Sequence, residues 1–158
     1  MIRIGFGFDT HKLEPGRPFR LGGVNVEHSK GAIGHSDADV LIHAIIDSLL
    51  GAAGLPDIGR QFPDTSEEFK GIDSRVLLSR TMDMLRERSF SIGNIDCTIV
   101  LQQPKIATLI PEMIKALSGA LKAEPSRINI KAKTSEKLGF IGREEGISAY
   151  AVTLLETS

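Results

Sequence analysis

Ile2-Arg3-Ile4-Gly5-Phe6-Gly7-Phe8-Asp9-Thr10-His11 is the stretch on which the reading of the fold turns. Its apolar residues alternate loosely, so Ile2 to Phe8 predicts a strand that starts the fold. Asp9 and His11 stand two apart where that strand ends. Residues at i and i+2 of an extended chain share a face, so a carboxylate and an imidazole lie side by side there. Moving outward, Arg17 to Val26 predicts a second strand, bent or bulged at Gly22-Gly23. Residues 31–34 read as loop. Ser36 or Asp37 is a candidate N-cap, and Ala38 to Ala53 predicts a helix with Leu41, Ala44, Ile45, Ser48 and Leu49 on one face. Gly51, Gly54 and then Pro56 close it.

Residues 55–72 carry Gly, Pro and Asp without periodicity, which is long for an ordinary connection and points to a functional loop. Ser74 to Arg88 predicts a helix, Ser91 to Leu101 a strand, and Ile110 to Leu121 a helix with Pro111 in its first turn. Arg127 to Lys133 and Gly146 to Leu155 predict two more strands. This order predicts an α+β fold, an α/β sandwich in which a mixed sheet has its helices packed on one face. No repeat, low-complexity tract or linker interrupts the chain, so residues 1–158 read as a single domain.

Composition agrees with a soluble globular chain. Of 158 residues, 41% are apolar and 25% charged, enough for a buried core. Nineteen basic against twenty acidic residues give a net charge of −1, which argues against a general nucleic-acid binder. The single cysteine, Cys97, excludes a disulfide framework and a Cys-rich zinc module and fits a reducing compartment. Apolar runs fall short of a membrane span, and Met1 leads straight into a strand with no secretory leader. The expectation is therefore a cytoplasmic protein with neither a membrane nor a nucleic acid as partner.

Asp9 and His11 make two-thirds of a zinc site, and His43 on the first predicted helix is placed to supply the third ligand. Two His and one Asp with an open fourth position form the pattern of a catalytic zinc site. A turn cap and two ordinary polar histidines are the plainer reading of the same residues. His35-Ser36-Asp37-Ala38-Asp39 lies where the first helix starts, and free N–H groups there favour an anion such as phosphate. Asp39, four residues before His43, is a candidate to orient its imidazole. Simple capping accounts equally for Ser36 to Asp39.

Asp57-Ile58-Gly59 and Phe62-Pro63-Asp64-Thr65-Ser66 sit in the long loop. Their short polar side chains suit sugar hydroxyls or a hydrated metal, and also ordinary turns. Gln102-Gln103-Pro104-Lys105 follows a strand end, where ligands gather in α/β sheets. Residues 127–143 concentrate Arg127, Lys131, Lys133, Lys137 and Arg143 against one acid, Glu136. Such a cluster suits a polyphosphate, with Glu136 offering hard carboxylate oxygen to magnesium. There is no G-x-x-x-x-G-K-[ST], no G-x-G-x-x-G after a strand and no G-x-S-x-G, and Cys97 falls in an apolar strand. With no protein nucleophile in sight, metal ions and positioning are left to do the chemistry.

Taken together, several segments resemble the 2-C-methyl-D-erythritol 2,4-cyclodiphosphate synthase family. They are R-I-G-F-G-F-D-T-H (3–11), L-G-G-V (21–24), K-G-A-I-G-H-S-D-A-D-V-L-I-H-A (30–44) and L-L-G-A-A-G-L-P-D-I-G (49–59). F-P-D-T (62–65), F-K-G-I-D-S-R (69–75), Q-Q-P-K (102–105) and T-S-E-K-L-G-F-I-G-R-E-E-G-I (134–147) follow in family order over nearly the full length. The resemblance implies a homotrimer with its sheets toward the three-fold axis and active sites between neighbouring subunits. It implies conversion of 4-diphosphocytidyl-2-C-methyl-D-erythritol 2-phosphate to the cyclic diphosphate and CMP, in the non-mevalonate isoprenoid pathway.

The resemblance also implies roles. Asp9, His11 and His43 match the ligands of one Zn²⁺ per subunit, and Glu136 matches the carboxylate holding a second divalent ion, Mg²⁺ or Mn²⁺. His35 and Ser36 match phosphate-contacting residues, and Thr134 matches a threonine that orients the phosphates. Asp57, Ile58 and Gly59 match the erythritol pocket, with Phe62, Pro63, Asp64, Thr65 and Ser66 as its mobile cover. Leu101, Gln102, Gln103, Pro104, Lys105, Ile106 and Ala107, with Lys133 and Ser135, match the cytidine diphosphate side. Phe140 and Arg143 match positions near the trimer axis, where some members bind an isoprenoid diphosphate. Three residues depart from the pattern: Ala38 for the usual glycine, Lys133 for a common threonine, and Phe6 for a histidine of some members. Two readings from other classes use the same residues. One is a zinc-dependent phosphodiesterase or diphosphatase with water as nucleophile; the other is a non-catalytic trimeric module that binds a phosphorylated metabolite.

Overall fold

The computed structural model describes residues 1–157. Its elements run β1 (Ile2–Pro15), β2 (Arg20–Leu21), β3 (Val24–Asn25), β4 (Lys30–Ala32), α1 (Val40–Ala53), α2 (Ile58–Gln61), α3 (Ser74–Arg86), β5 (Phe90–Val100), α4 (Ile110–Leu121), β6 (Ile128–Lys133), α5 (Gly139–Gly142) and β7 (Gly146–Thr157). Five strands form a mixed sheet in the order β4-β1-β7-β5-β6, in which β5 and β6 are parallel and the other pairs antiparallel. Among the described residues no helix is long and apolar enough to cross a membrane.

The mixed α+β architecture agrees with the expectation, with differences that have local causes. β1 does not end near Phe8 but runs on to Pro15, because β7 and then β4 keep pairing its far half. Asp9 and His11 therefore lie mid-strand, held rigidly in the ladder. The second strand expected over Arg17–Val26 is instead a tight hairpin of β2 and β3 outside the main sheet, turned by Gly22 and Gly23 at φ 60° and 76°. Part of the segment read as loop, Gly31 and Ala32, belongs to the short edge strand β4.

Helix α1 starts at Val40, capped by Asp39 rather than Ser36 or Asp37. The Asp39 carboxylate is fully buried and accepts three backbone N–H bonds, from Ile42 of its own helix and from Gly22 and Gly23. It ties the hairpin to the helix start and does not touch the His43 ring. Ala38, just before the cap, adopts a left-handed φ of 58°, a conformation natural to glycine that costs a side chain roughly 1–2 kcal/mol.

Alternation along β1 sorts its side chains. Gly5, Gly7, Asp9, His11 and Leu13 face the helices; Ile2, Ile4, Phe6 and Phe8 face away and are exposed. Gly5 and Gly7 let α1 lie directly on the strand, since a Cβ at either would come within 1.9 Å of a helix carbonyl oxygen. Helix α1 is consequently buried on nearly every side, with Val40, Leu41, Ile42, Ile45, Ile46, Leu49 and Leu50 in the core. His43 and Asp47, one turn apart, are partly open and form its polar stripe. Buried Cys97 on β5 has its thiol pushed up to about 12 by burial, which suits a packing role.

Candidate active site

Three side chains converge where β1 meets α1. Asp9 Oδ2 lies 3.0 Å from His11 Nδ1 and 3.1 Å from His43 Nδ1. Among the described residues these three form the group whose donor atoms could hold a metal ion. The i, i+2 spacing on β1 and the close seating of α1 bring them together. Burial alone would raise the Asp9 carboxyl, but the two imidazoles beside it outweigh that and hold it at about 2. Burial likewise pulls the His43 imidazole down, and the Asp9 carboxylate more than restores it, so His43 ends above its ordinary value. Two imidazole nitrogens gathered around one carboxylate oxygen suit a divalent cation. His11 Nδ1 is the clearest sign: it is buried and makes no hydrogen bond, because Asp9 Oδ2 is near but out of line with its ring N–H direction. A buried ring nitrogen without a hydrogen-bond partner fits the role of a metal ligand.

The triad opens into a cavity of about 490 Å³. His35, Ser36, Ile58, Gly59, Phe62 and Asp64 all line it. His35 Nε2 lies 3.0 Å from the Ser66 carbonyl and so ties the 62–66 segment to the cavity mouth, while Phe62 packs edge-on against Phe69. Asp57 is exposed and does not line the cavity; its carboxylate caps α2 by accepting from Arg60 N. Pro63 and Thr65 are exposed and do not line the cavity. The long loop is thus partly helical: α2 and a 3₁₀ turn over Glu67–Phe69 replace the unstructured segment expected.

The nucleotide-side residues gather elsewhere. Leu101, Pro104, Lys105, Ile106, Ala107, Lys133 and Thr134 line a separate cavity of about 110 Å³ beyond the ends of β5 and β6. Gln102 accepts from Lys137 N, Gln103 is exposed beside it, and Ser135 Oγ donates to the Leu138 carbonyl. Glu136 is exposed, at a left-handed φ of 56°, and is not part of the Asp9 group. Phe140 lies over Gly146, and Arg143 pairs with Glu145 at 2.8 Å. Within one chain, then, the metal triad with its cavity and the Lys105–Thr134 pocket are two places. A further cavity, about 760 Å³ beside α3 and α4, contains none of these residues.

Residue reading alone missed three neighbours of the triad. Asp47 accepts from Ile58 N at 2.8 Å and so anchors α2 to α1; its i+4 spacing from His43 was a legible signal. Ser74 Oγ lies 2.9 Å from His43 Nε2, and Asp37 binds Ser74 in turn. Ser74 comes from a distant helix start, and no local pattern signals it.

Comparison with known proteins follows the same line. The model of the YgbB family matches residues 2–156. The chain is 59% identical to 2-C-methyl-D-erythritol 2,4-cyclodiphosphate synthase of Porphyromonas gingivalis, over 98% of this chain and 95% of that protein. Its fold superposes on the bifunctional IspDF of Campylobacter jejuni with a TM-score of 0.96 at 42% identity, covering 100% of this chain and 43% of that one. It also superposes on the CDP complex of Plasmodium falciparum IspF with a TM-score of 0.88 at 36% identity, covering 99% and 97%.

Proposed function

The chain belongs to the YgbB family, and from that premise we propose that it is a cyclising phosphorus–oxygen lyase of isoprenoid precursor synthesis. It converts 4-diphosphocytidyl-2-C-methyl-D-erythritol 2-phosphate to 2-C-methyl-D-erythritol 2,4-cyclodiphosphate and CMP. The observation that carries the reading is the convergence of Asp9, His11 and His43 at the floor of a cavity walled by His35, Ser36 and Gly59.

In this reading the substrate's own 2-phosphate oxygen attacks the β-phosphorus of the cytidine diphosphate. The bond from that phosphorus to the bridging oxygen breaks, and CMP leaves with the electron pair. No protein nucleophile is needed, which fits the inert Cys97. Asp9, His11 and His43 would hold zinc, and Glu136 would hold a second divalent ion, Mg²⁺ or Mn²⁺. When bound, these ions supply positive charge that binds and polarises phosphate oxygens. His35 and Ser36 contact phosphate, Asp57 and Gly59 seat the erythritol under the 62–66 cover, and Thr134 orients the diphosphate. Residues 101–107 and 133–135 hold the cytidine side. Gathering the flexible substrate into an attack geometry is an entropy effect that can reach ~7–11 kcal/mol in well-oriented intramolecular reactions.

The separation of the two pockets within one chain supports a site shared between subunits, the Lys105–Thr134 side coming from a neighbour. The exposed apolar sheet face of Ile4, Phe6, Phe8 and Val152 supports a homotrimer built on that face, with Phe140 and Arg143 toward its axis. The deciding experiment is ³¹P NMR of the purified protein with the diphosphocytidyl substrate, zinc and magnesium. CMP appearing with the coupled resonances of a cyclic diphosphate is the expected result. CMP with an open-chain phosphate would mean hydrolysis by water and would overturn the synthase.

A further inference from the structure

His43 presents Nδ1 to Asp9, and its other ring nitrogen is enclosed by two serines. Nε2 lies 2.9 Å from Ser74 Oγ and 3.0 Å from Ser36 Oγ. The two hydroxyls are not equivalent. Ser74 is fully buried, and its Oγ–H donates to Asp37 Oδ1 at 2.5 Å. Asp37 is crowded with donors: Oδ2 accepts from Ser74 N at 3.0 Å, and Oδ1 also accepts from Asp39 N at 3.2 Å. An ionised carboxylate only accepts, so the one hydroxyl hydrogen of Ser74 is committed to Asp37. Ser74 Oγ therefore meets His43 with lone pairs alone, and Nε2 must carry the hydrogen of that contact. Asp9 Oδ2 accepts from Nδ1 at 3.1 Å in the protonated ring, so the Nδ1 hydrogen is the one a metal ion would displace, leaving the neutral ring as the Nε2–H form. Ser36 imposes no such choice, because its half-buried hydroxyl lines the cavity and, among the described residues, has no second partner fixing its hydrogen.

We propose that Asp37 and Ser74 are positioning residues of the metal site, fixing His43 as the Nε2–H tautomer so that Nδ1 is the ligand atom. This rests on the metal-site reading above. Metal-bound histidines commonly pass their free N–H straight to a carboxylate or carbonyl. Here a serine hydroxyl is inserted between imidazole and carboxylate and transmits the same polarity. The arrangement also divides labour between the two serines. Since Ser74 alone sets the tautomer, Ser36 is free to turn its hydrogen toward an anion in the cavity.

The test is zinc affinity by chelator competition on the whole chain, for the parent, Ser74→Ala and Ser36→Ala, with the absorption spectrum of each cobalt(II)-loaded form. Ser74→Ala keeps the backbone N–H that Asp37 accepts, and thermal unfolding of the metal-free proteins reports its fold separately. The parent is expected to take one zinc per chain. Ser74→Ala is expected to bind it roughly 10–100-fold more weakly, the usual cost of losing an outer partner of a metal-bound histidine, with a shifted cobalt spectrum. Ser36→Ala is expected to keep affinity within about threefold, since it leaves that outer partner in place. Parent-like affinity and spectrum in Ser74→Ala would overturn the positioning role while leaving the metal site intact. A parent that binds no zinc would overturn both. If Ser74→Ala does not fold, ¹⁵N NMR of histidine in the zinc-loaded parent decides instead. His43 with Nε2–H and Nδ1 bound to the metal is expected; Nδ1–H with Nε2 as the ligand atom would overturn the proposal.

Discussion

The Cα of Gly7 in β1 lies so close to the Ala44 carbonyl of α1 that a Cβ at residue 7 would sit 1.9 Å from that oxygen. Gly5 stands in the same relation to Ser48. His43 precedes Ala44 and Asp9 follows Gly7 by two, so the gap these glycines permit is the one across which His43 Nδ1 meets Asp9. In Gly7→Ala the clash is backbone against methyl, with no side chain able to swing away. The expected outcome is destabilisation of about 3 kcal/mol or more, at or beyond the upper end for overpacking, together with reduced zinc content. Urea unfolding of the metal-free protein and metal analysis after refolding read the two effects. A variant as stable as the parent would show that α1 can lift without loss.

Removing a metal ligand and removing a peripheral cation should fail in different ways. His43→Ala strips one of three donors and is expected to lower kcat by at least ~10²–10³, the scale of losing one transition-state charge stabiliser. Lys105 is exposed at the edge of the second pocket, so Lys105→Ala is expected to raise KM severalfold with kcat nearly unchanged. Steady-state kinetics with zinc quantified in each sample separates the cases. If His43→Ala kept most of its zinc and turnover, His43 would lose its place as a ligand.

The pH dependence of the metal-free protein follows from the Asp9–His43 pair. Asp9 is held at about 2 against an ordinary value of 3.8, so its contribution to stability is complete above pH 3.8 and is lost as pH falls toward 2. His43 lies above its ordinary 6.5, so its contribution is complete below pH 6.5 and is lost as pH rises through its folded value. Without metal, Tm should therefore be highest between pH 4 and 6, and Asp9→Asn should flatten both limbs. Zinc must displace the His43 proton, so the increase in Tm on adding zinc should grow from pH 6 to 8. A zinc increment independent of pH would remove His43 from the binding equilibrium.

Local chemistry was what the sequence made legible. Asp9 and His11 share a face because period-two geometry depends only on neighbours, and the long apolar runs of α1 and β5 announce themselves. The helix start was misplaced because Ser36, Asp37 and Asp39 are all good caps by composition. Only the tertiary position of Gly22 and Gly23 selects Asp39. β4 is too short to carry a pattern of its own and exists because β1 extends far enough to pair with it. Ser74 is invisible for a related reason: a buried serine at a helix start reads as a cap until α3 is packed against His43.

A shared active site makes a prediction that no single-chain arrangement can meet. Phe6 pairs across strands with Val152 and Phe8 with Tyr150, and these exposed apolar side chains form a continuous band on the sheet face that α1 leaves open. Val152→Asp places a charge in that band and is expected to reduce the mass seen by sedimentation from three chains to one, with loss of turnover. The stronger test mixes two inactive proteins. His43→Ala subunits lack the metal triad but keep Glu136; Glu136→Ala subunits lack the second carboxylate but keep the triad. If each site takes its triad from one subunit and Glu136 from the next, mixed trimers contain some sites with both intact. Co-refolding should then recover part of the parent turnover, although neither protein has it alone. Absence of any recovery, with mixed assembly verified by mass, would place both halves of the site within one chain.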